Sequence, residues 1–256
     1  MKVVIIGTGN TASILGRLIR EKGHQIAQLC VRNKEELEKL SAFLGCPLEV
    51  DLSNLNSGAD LYIIAVSDKA IESVAKSIHL KKGILVHTAG SVSKEVLKSS
   101  ARNYGIIYPL QSLRKEAPQI PAIPILIDAN TEDSLTLLQD FASSISRLVI
   151  KSNDEDRKKY HLGAVLVNNF PNYLYAKTLD YCNANGIDFS ILYPLILHTS
   201  ERLLTQSPIE AQTGPAVRGD VATINRHLKM LENDPELEEI YRSLSEKIQS
   251  YFQKKS

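Results

Sequence analysis

Val4-Ile5-Ile6-Gly7-Thr8-Gly9-Asn10-Thr11-Ala12 decides how the rest of the chain is read. An apolar strand runs straight into two glycines, and a helical pattern follows that carries Gly16 and stops at Gly23. Gly7 suits a tight turn off a buried strand, and Gly9 lets backbone approach a pyrophosphate. Ala12 and Gly16, one turn apart, let the helix lie close on the sheet. The helix start adds free N–H groups and a positive dipole end. Gly7, Thr8, Gly9, Asn10 and Thr11 are therefore expected to hold the diphosphate of a dinucleotide. A lone G-x-G-x-x-A turn is weak evidence, but here a second strand, Gln25 to Val31, follows the helix as a dinucleotide site requires.

The end of that second strand chooses the cofactor. A site for NAD places an Asp or Glu about 20 residues past the glycines to hold the ribose hydroxyls. This chain reads Cys30-Val31-Arg32-Asn33 instead. A guanidinium there complements a 2′-phosphate as a planar fork, so NADP(H) is expected, with Arg32 on the phosphate.

Further strand-like runs, separated by helical stretches, predict an α/β doubly wound parallel sheet. They are Leu61 to Val66, Ile84 to His87, Ile106 to Tyr108, Ile123 to Ile127 and Arg147 to Ile150, with a short one at Leu48 to Val50. Ligands of such sheets sit beyond the carboxyl ends of the strands. Val66, Ser67 and Asp68 are expected to wall the cofactor, chiefly through backbone, with Asp68 also suited to capping a helix over Lys69 to Ile78. Thr88 and Ser91, in the glycine-containing loop after His87, are candidates for the substrate. His87 itself reads as a hydrogen-bonded core residue, and His24 and His79 as surface residues.

The chain has 256 residues and a formal charge of +1, so it carries no electrostatic footprint for nucleic acid or an anionic membrane. A small molecule is the expected partner. Cys30, Cys46 and Cys182 are odd in number and widely spaced, which suggests neither a disulfide framework nor a metal site. The apolar stretch after Lys2 is too short for a signal peptide and no run is long enough to span a membrane, so a cytoplasmic location is expected.

After Ile150 the pattern turns wholly helical, which divides the chain into a nucleotide domain, 1–152, and a helical domain, 153–256. A long helix is expected from Asp154 toward Asn183, kinked near Phe170 by Pro171, and a second from Phe189 to Gln206 with Pro194 inside it. His161, Asn168 and Asn172, spaced by seven and four residues, share one stripe of the first helix with Asn169 beside it. Buried amides without partners cost about 1–3 kcal/mol each, so the stripe is expected to face a polar cleft or another subunit. His161 is the candidate general acid, since imidazole titrates near neutrality, and Asn168 would orient the substrate with Asn172. In Gln212 to Asp220, Arg218 is a candidate for an anionic group and Asp220 for a helix cap.

These segments resemble a known family. Val4 to Ala12, Ala65-Val66-Ser67-Asp68 with Ile71, His87-Thr88-Ala89-Gly90-Ser91 and Tyr108-Pro109-Leu110-Gln111 are similar to the NADP-binding half of pyrroline-5-carboxylate reductases and deazaflavin-dependent NADP reductases. Asn168 to Leu174 and Thr213 to Asp220 look like the hallmarks of a bacterial family that joins this half to a helical domain of undefined function. The resemblance implies a Rossmann fold followed by an all-α domain like that of 6-phosphogluconate dehydrogenases, dimeric through the helical domain, with a substrate cleft between domains. β-Hydroxyacid dehydrogenase relatives use a helix Lys one turn before an Asn, whereas this chain has Ala164 and Val165 there. The resemblance implies no substrate; the function expected is an NADP(H)-dependent oxidoreductase acting on a small carbonyl or imine, and the rival is a non-catalytic NADP(H)-binding sensor dimer.

Overall fold

A computed structural model describes residues 1–30, 40–42 and 44–254. Arg32 and Val31 lie outside the described residues. The chain forms two compact units, Met1–Phe170 and Pro171–Ser256, so the helical turns from Asp154 to Phe170 pack with the sheet.

The first unit is a Rossmann fold. Its strands are β1 (Lys2–Ile6), β2 (Gln25–Cys30), β3 (Leu48–Glu49), β4 (Leu61–Ile64), β5 (Leu80–His87), β6 (Ala101–Pro109), β7 (Ile125–Ala129) and β8 (Val149–Lys151). They form one sheet in the order β3-β2-β1-β4-β5-β6-β7-β8. The chain reverses its direction of winding between β1 and β4, and the crevice at their carboxyl ends is where such sheets bind ligands. Side chains alternate across the sheet. Val3, Ile5, Ile63 and Val86 pack on one face with Leu15 and Ile19 of α1 (Asn10–Glu21) and Phe141 of α3 (Glu132–Ile145). Val4, Ile6, Tyr62, Ile64 and Leu85 pack on the other with Ile71 and Val74 of α2 (Asp68–Lys76). Each such buried aliphatic side chain contributes roughly 1.5–3 kcal/mol.

Two expectations need correction. The sheet is not wholly parallel, because β6 and β7 pair antiparallel, Gly105 against Ala129 through Pro109 against Ile125. Residues 110–124 between them form no helix, and without a helical crossover the chain returns antiparallel. His24 is half-buried rather than on the surface, between the Met1 amine at 3.0 Å and the Ser144 hydroxyl at 2.7 Å.

The long helix begins as α4 (Asp154–Ala164), capped by the Asn153 side chain on the Asp156 N–H. It then widens into one π-helical segment, Val165–Asn169, in which the Phe170 N–H reaches back five residues to the Val165 carbonyl. Pro171, which has no N–H to donate, follows at once. The distortion expected at the proline thus takes the form of a π turn that contains Asn168 and Asn169, and such turns often mark functional sites.

The second unit carries most of α5 (Phe170–Ala184), then α6 (Tyr193–Arg202), the single turns α7 (Pro208–Ala211) and α8 (Pro215–Arg218), α9 (Val221–Met230) and α10 (Pro235–Gln253). Gly186 takes the left-handed conformation just past α5. Pro194 does not interrupt a helix. It lies in the first turn of α6, where a missing N–H costs nothing. Asp220 caps α9 by accepting from the Thr223 N–H at 3.0 Å. From Pro171 onward the described buried residues are Cys182, Ala216, Leu231 and Ser245, whereas Ile191, Leu195, Leu197 and Leu204 are 62–86% exposed.

Candidate active site

The turn after β1 is pinned from both sides. The Gly7 N–H donates to the Cys30 carbonyl at 2.9 Å, and the Ala65 N–H donates to Ile6 at 2.8 Å. Gly7 has φ +136°, and a Cβ there would lie 2.1 Å from the Ala65 carbonyl oxygen. Only glycine fits. At Gly9, by contrast, a Cβ would meet nothing within 4 Å, so the surface beside the turn is open. Gly16 works differently again, since its missing Cβ makes room for Leu44 at 2.9 Å and brings α1 close to Ile5. Gly9 caps α1 without a side-chain bond. The first N–H groups of α1, including those of Asn10 and Thr11, have no partner within the helix and suit a diphosphate. The Asn10 side chain accepts from the Lys115 N–H at 3.1 Å, which leaves its backbone for that role.

Val66 and Ser67 follow β4, with Ser67 exposed and capping α2 by backbone alone. Asp68 occupies the first turn of α2 and accepts a 2.6 Å bond from the Ser91 hydroxyl, so the loops after β4 and β5 are tied together. Thr88 is buried, with its hydroxyl 3.5 Å from the Ile64 carbonyl. His87 is a core residue. Its Nδ1 accepts from the Ala89 N–H at 3.2 Å, its Nε2 lies 3.3 Å from the Ser93 carbonyl, and burial lowers its pKa to about 4.

His161 reaches this loop from α4. Its Nδ1 lies 2.9 Å from the Tyr108 hydroxyl at the end of β6, and the rings meet edge to face with centroids 6.0 Å apart. Both rings lie over Gly90, where a Cβ would be 2.8 Å from the His161 ring and 2.9 Å from Tyr108. A cavity of about 920 Å³ opens beside the pair. Asn168 and Asn169 of the π turn line it, as do Gln111 and Ser112 from the loop after β6 and Ala164 and Val165. Ala164 and Val165 give this side of the cavity an apolar wall. Lys159, also in the lining, is paired with Asp156 at 2.9 Å.

A second cluster holds the loop in place. Arg157 of α4 is fully buried, and its Nη2 donates to the Val92 carbonyl and, at 2.7 Å, to Asp154. Asp154 also accepts from the Ser93 hydroxyl and from the Lys94 N–H. Burial opposes ionisation of Asp154, but the bonds from Ser93 and Arg157 outweigh it and hold the carboxyl below its usual pKa. Lys94 pairs with Asp128 at 2.5 Å. The sequence marks Asp154 only as an acid at a helix start, and gives no sign that Arg157 is buried. Tyr108 lies in the Tyr108-Pro109-Leu110-Gln111 segment, where nothing in the sequence marks its side chain.

Of the candidates, the structure brings His161, Asn168 and the Thr88–Ser91 loop into one neighbourhood. Asn172 and Arg218 belong to the second unit, where both are exposed, Arg218 on the single turn α8 before Gly219. Among the described residues no group of His, Cys, Asp or Glu could hold a metal, and no helix is long and apolar enough to cross a membrane.

A crystal structure from Bacteroides fragilis, assigned as an NADP oxidoreductase, is 33% identical over 97% of this chain and 98% of that one, with a TM-score of 0.90. The chain belongs to the NADP oxidoreductase family. Residues 2–91 match the family described as NADP oxidoreductase, coenzyme F420-dependent, and residues 123–248 match a domain of unknown function, DUF2520. Within this family the cofactor is NADP and the chemistry is oxidoreduction. A pyrroline-5-carboxylate reductase from Streptococcus pyogenes shares the fold at 20% identity and a TM-score of 0.65, covering 98% of both chains. So does a Myxococcus stipitatus imine reductase crystallised with NADP+, at 15% identity and a TM-score of 0.63, covering 99% of this chain and 93% of that one. No curated protein matches the chain.

Proposed function

We propose that this NADP oxidoreductase moves hydride between NADP(H) and a small compound with a C=O or C=N bond, held in the cavity beside His161. The observation that carries this reading is the meeting of His161 with the Gly90 loop at the carboxyl end of β5 and with the cavity lined by Asn168. The residues at the amino-terminal turn fit the cofactor, because Gly7 is obligatory there while Gly9 and the first N–H groups of α1 are open. NADPH, when bound, supplies the hydride. Arg32 would meet its 2′-phosphate. His161 gives a proton to the substrate heteroatom as charge develops on it, and Asn168 orients the substrate by hydrogen bonding. Asp68, Ser91 and Thr88 shape the floor of the loop. The test is substrate-dependent oxidation of NADPH over a panel of small ketones and cyclic imines. Replacing His161 or Asn168 by Ala should cut kcat by about tenfold or more. NADPH that binds without turnover on any substrate would favour the sensor reading instead.

We also propose that the second unit pairs with a second copy of the chain. A unit with so few buried residues and such exposed leucines has little core of its own, and covering that surface removes apolar area from water. Sedimentation of wild type against an Ile191→Asp, Leu195→Asp variant tests this, with loss of the dimer expected.

A further inference from the structure

We propose that Tyr108 is a positioning residue for His161, its hydroxyl holding Nδ1 so that Nε2 is always the ring nitrogen offered to the substrate. The inference rests on His161 being the proton donor.

The geometry supports it at three points. The Tyr108 hydroxyl has His161 as its partner among the described residues, at 2.9 Å, and His161 Nε2 has no protein partner there. A hydroxyl both donates and accepts, so one contact serves both states of the ring. It accepts from Nδ1–H when the imidazole is protonated and donates to Nδ1 when the ring is neutral with its hydrogen on Nε2. The second point is Gly90. Its backbone does not require glycine, since its φ lies outside the left-handed region, yet a Cβ would strike both rings. Glycine here is the space the pair needs. The third is that the phenol keeps its proton at neutral pH, because burial and Asp68 raise its pKa while Arg157 only partly offsets them.

The step balances simply. Hydride from NADPH adds to the carbon of the C=O or C=N bond, and the heteroatom takes the proton from Nε2. The imidazolium becomes neutral imidazole with Nδ1–H still donated to Tyr108; Nε2 then takes a proton from water, and loss of the Nδ1 proton returns the resting Nε2–H tautomer, to which Tyr108 donates. The charged and titratable groups around the pair are Asp68 at the start of α2, Asp154, Asp156, Arg157, Lys159 and Tyr160 on α4, Lys151 on β8, and His87 below the loop. None of these bonds His161 directly.

The test is the Tyr108→Phe variant, which removes one oxygen and keeps the ring. Two readouts are taken. Nitrogen-15 NMR of labelled histidine reports which ring nitrogen carries the proton, with or without turnover. Wild type should show His161 as a single Nε2–H tautomer, and the variant a mixture. For turnover, kcat should fall by about tenfold with the KM for NADPH unchanged, and the basic limb of the pH profile, where the donor has lost its proton, should move. Restoring the phenol with Gly90→Ala in place should not restore the single tautomer. If His161→Ala abolishes turnover while Tyr108→Phe leaves both the tautomer and kcat unchanged, the inference is overturned and the proposed function stands. If His161→Ala has no effect, the donor assignment fails, and the NMR result alone then decides whether Tyr108 orients the ring.

Discussion

Replacing Asp154 by Ala should destabilise the sheet unit heavily, and the size of the effect follows from Arg157. That guanidinium is wholly buried, its Nε and Nη1 have no partner among the described residues, and its charge faces the Asp154 carboxylate, at 2.7 Å. Removing one member of a buried ion pair costs about 3–5 kcal/mol because the other charge is stranded. Asp154 is itself partly exposed, which argues for the lower end, about 3 kcal/mol, even though the bonds to Ser93 and Lys94 are lost as well. For a unit of this size each kcal/mol moves Tm by about 2–4 °C, so a fall of roughly 6–12 °C is expected by calorimetry. The pH dependence has a definite sign. The folded carboxyl titrates below its unfolded value, so the pair stabilises fully above the unfolded pKa and is lost as pH falls through the folded one. The variant should therefore lack the corresponding acid-side decline. Adding Arg157→Leu should recover much of the loss, since an apolar replacement of both partners strands no charge. A single variant within about 2 °C of wild type would refute the reasoning, because that charge would then have another means of stabilisation.

Gly7→Ala should raise the Kd for NADPH by about a hundredfold or more, measured by calorimetry, because a Cβ 2.1 Å from the Ala65 carbonyl must displace the turn. Arg32→Asp should reverse the preference for NADPH over NADH in kcat/KM, and an unchanged ratio would remove the guanidinium from the account. His87→Asn should flatten the loss of stability between pH 6.5 and about 4, followed by urea unfolding. The buried neutral ring of wild type has its pKa lowered, so its contribution is intact above the unfolded value and declines as pH drops toward the folded one.

The parts legible in the sequence are those where one local rule acts alone. The β1 turn was readable because Gly7 must be glycine for backbone reasons and the strand before it is uniformly apolar. His87 read correctly as a core residue for the same reason. The reversal at β7 was legible in principle, since residues 110–124 carry Pro118, Pro121 and Pro124 and no helical period, but strand runs by themselves carry no direction. The first half of β5, Leu80-Lys81-Lys82-Gly83, looks like a polar loop and becomes a strand only through its neighbour β6. The loop clamp was beyond reach, because Asp154 and Arg157 on an exposed helix start look like any i, i+3 surface pair until Val92 and Ser93 close over them. Tyr108 meets His161 across 53 residues, a separation no periodicity reports.

A crystal structure of the protein with NADP+ tests the central claim most directly. The account predicts the diphosphate on the first N–H groups of α1 beside Gly9, and the nicotinamide ring against the Gly90 loop within reach of His161 Nε2. A diphosphate bound elsewhere, or a nicotinamide ring turned away from Gly90 and His161, would contradict it.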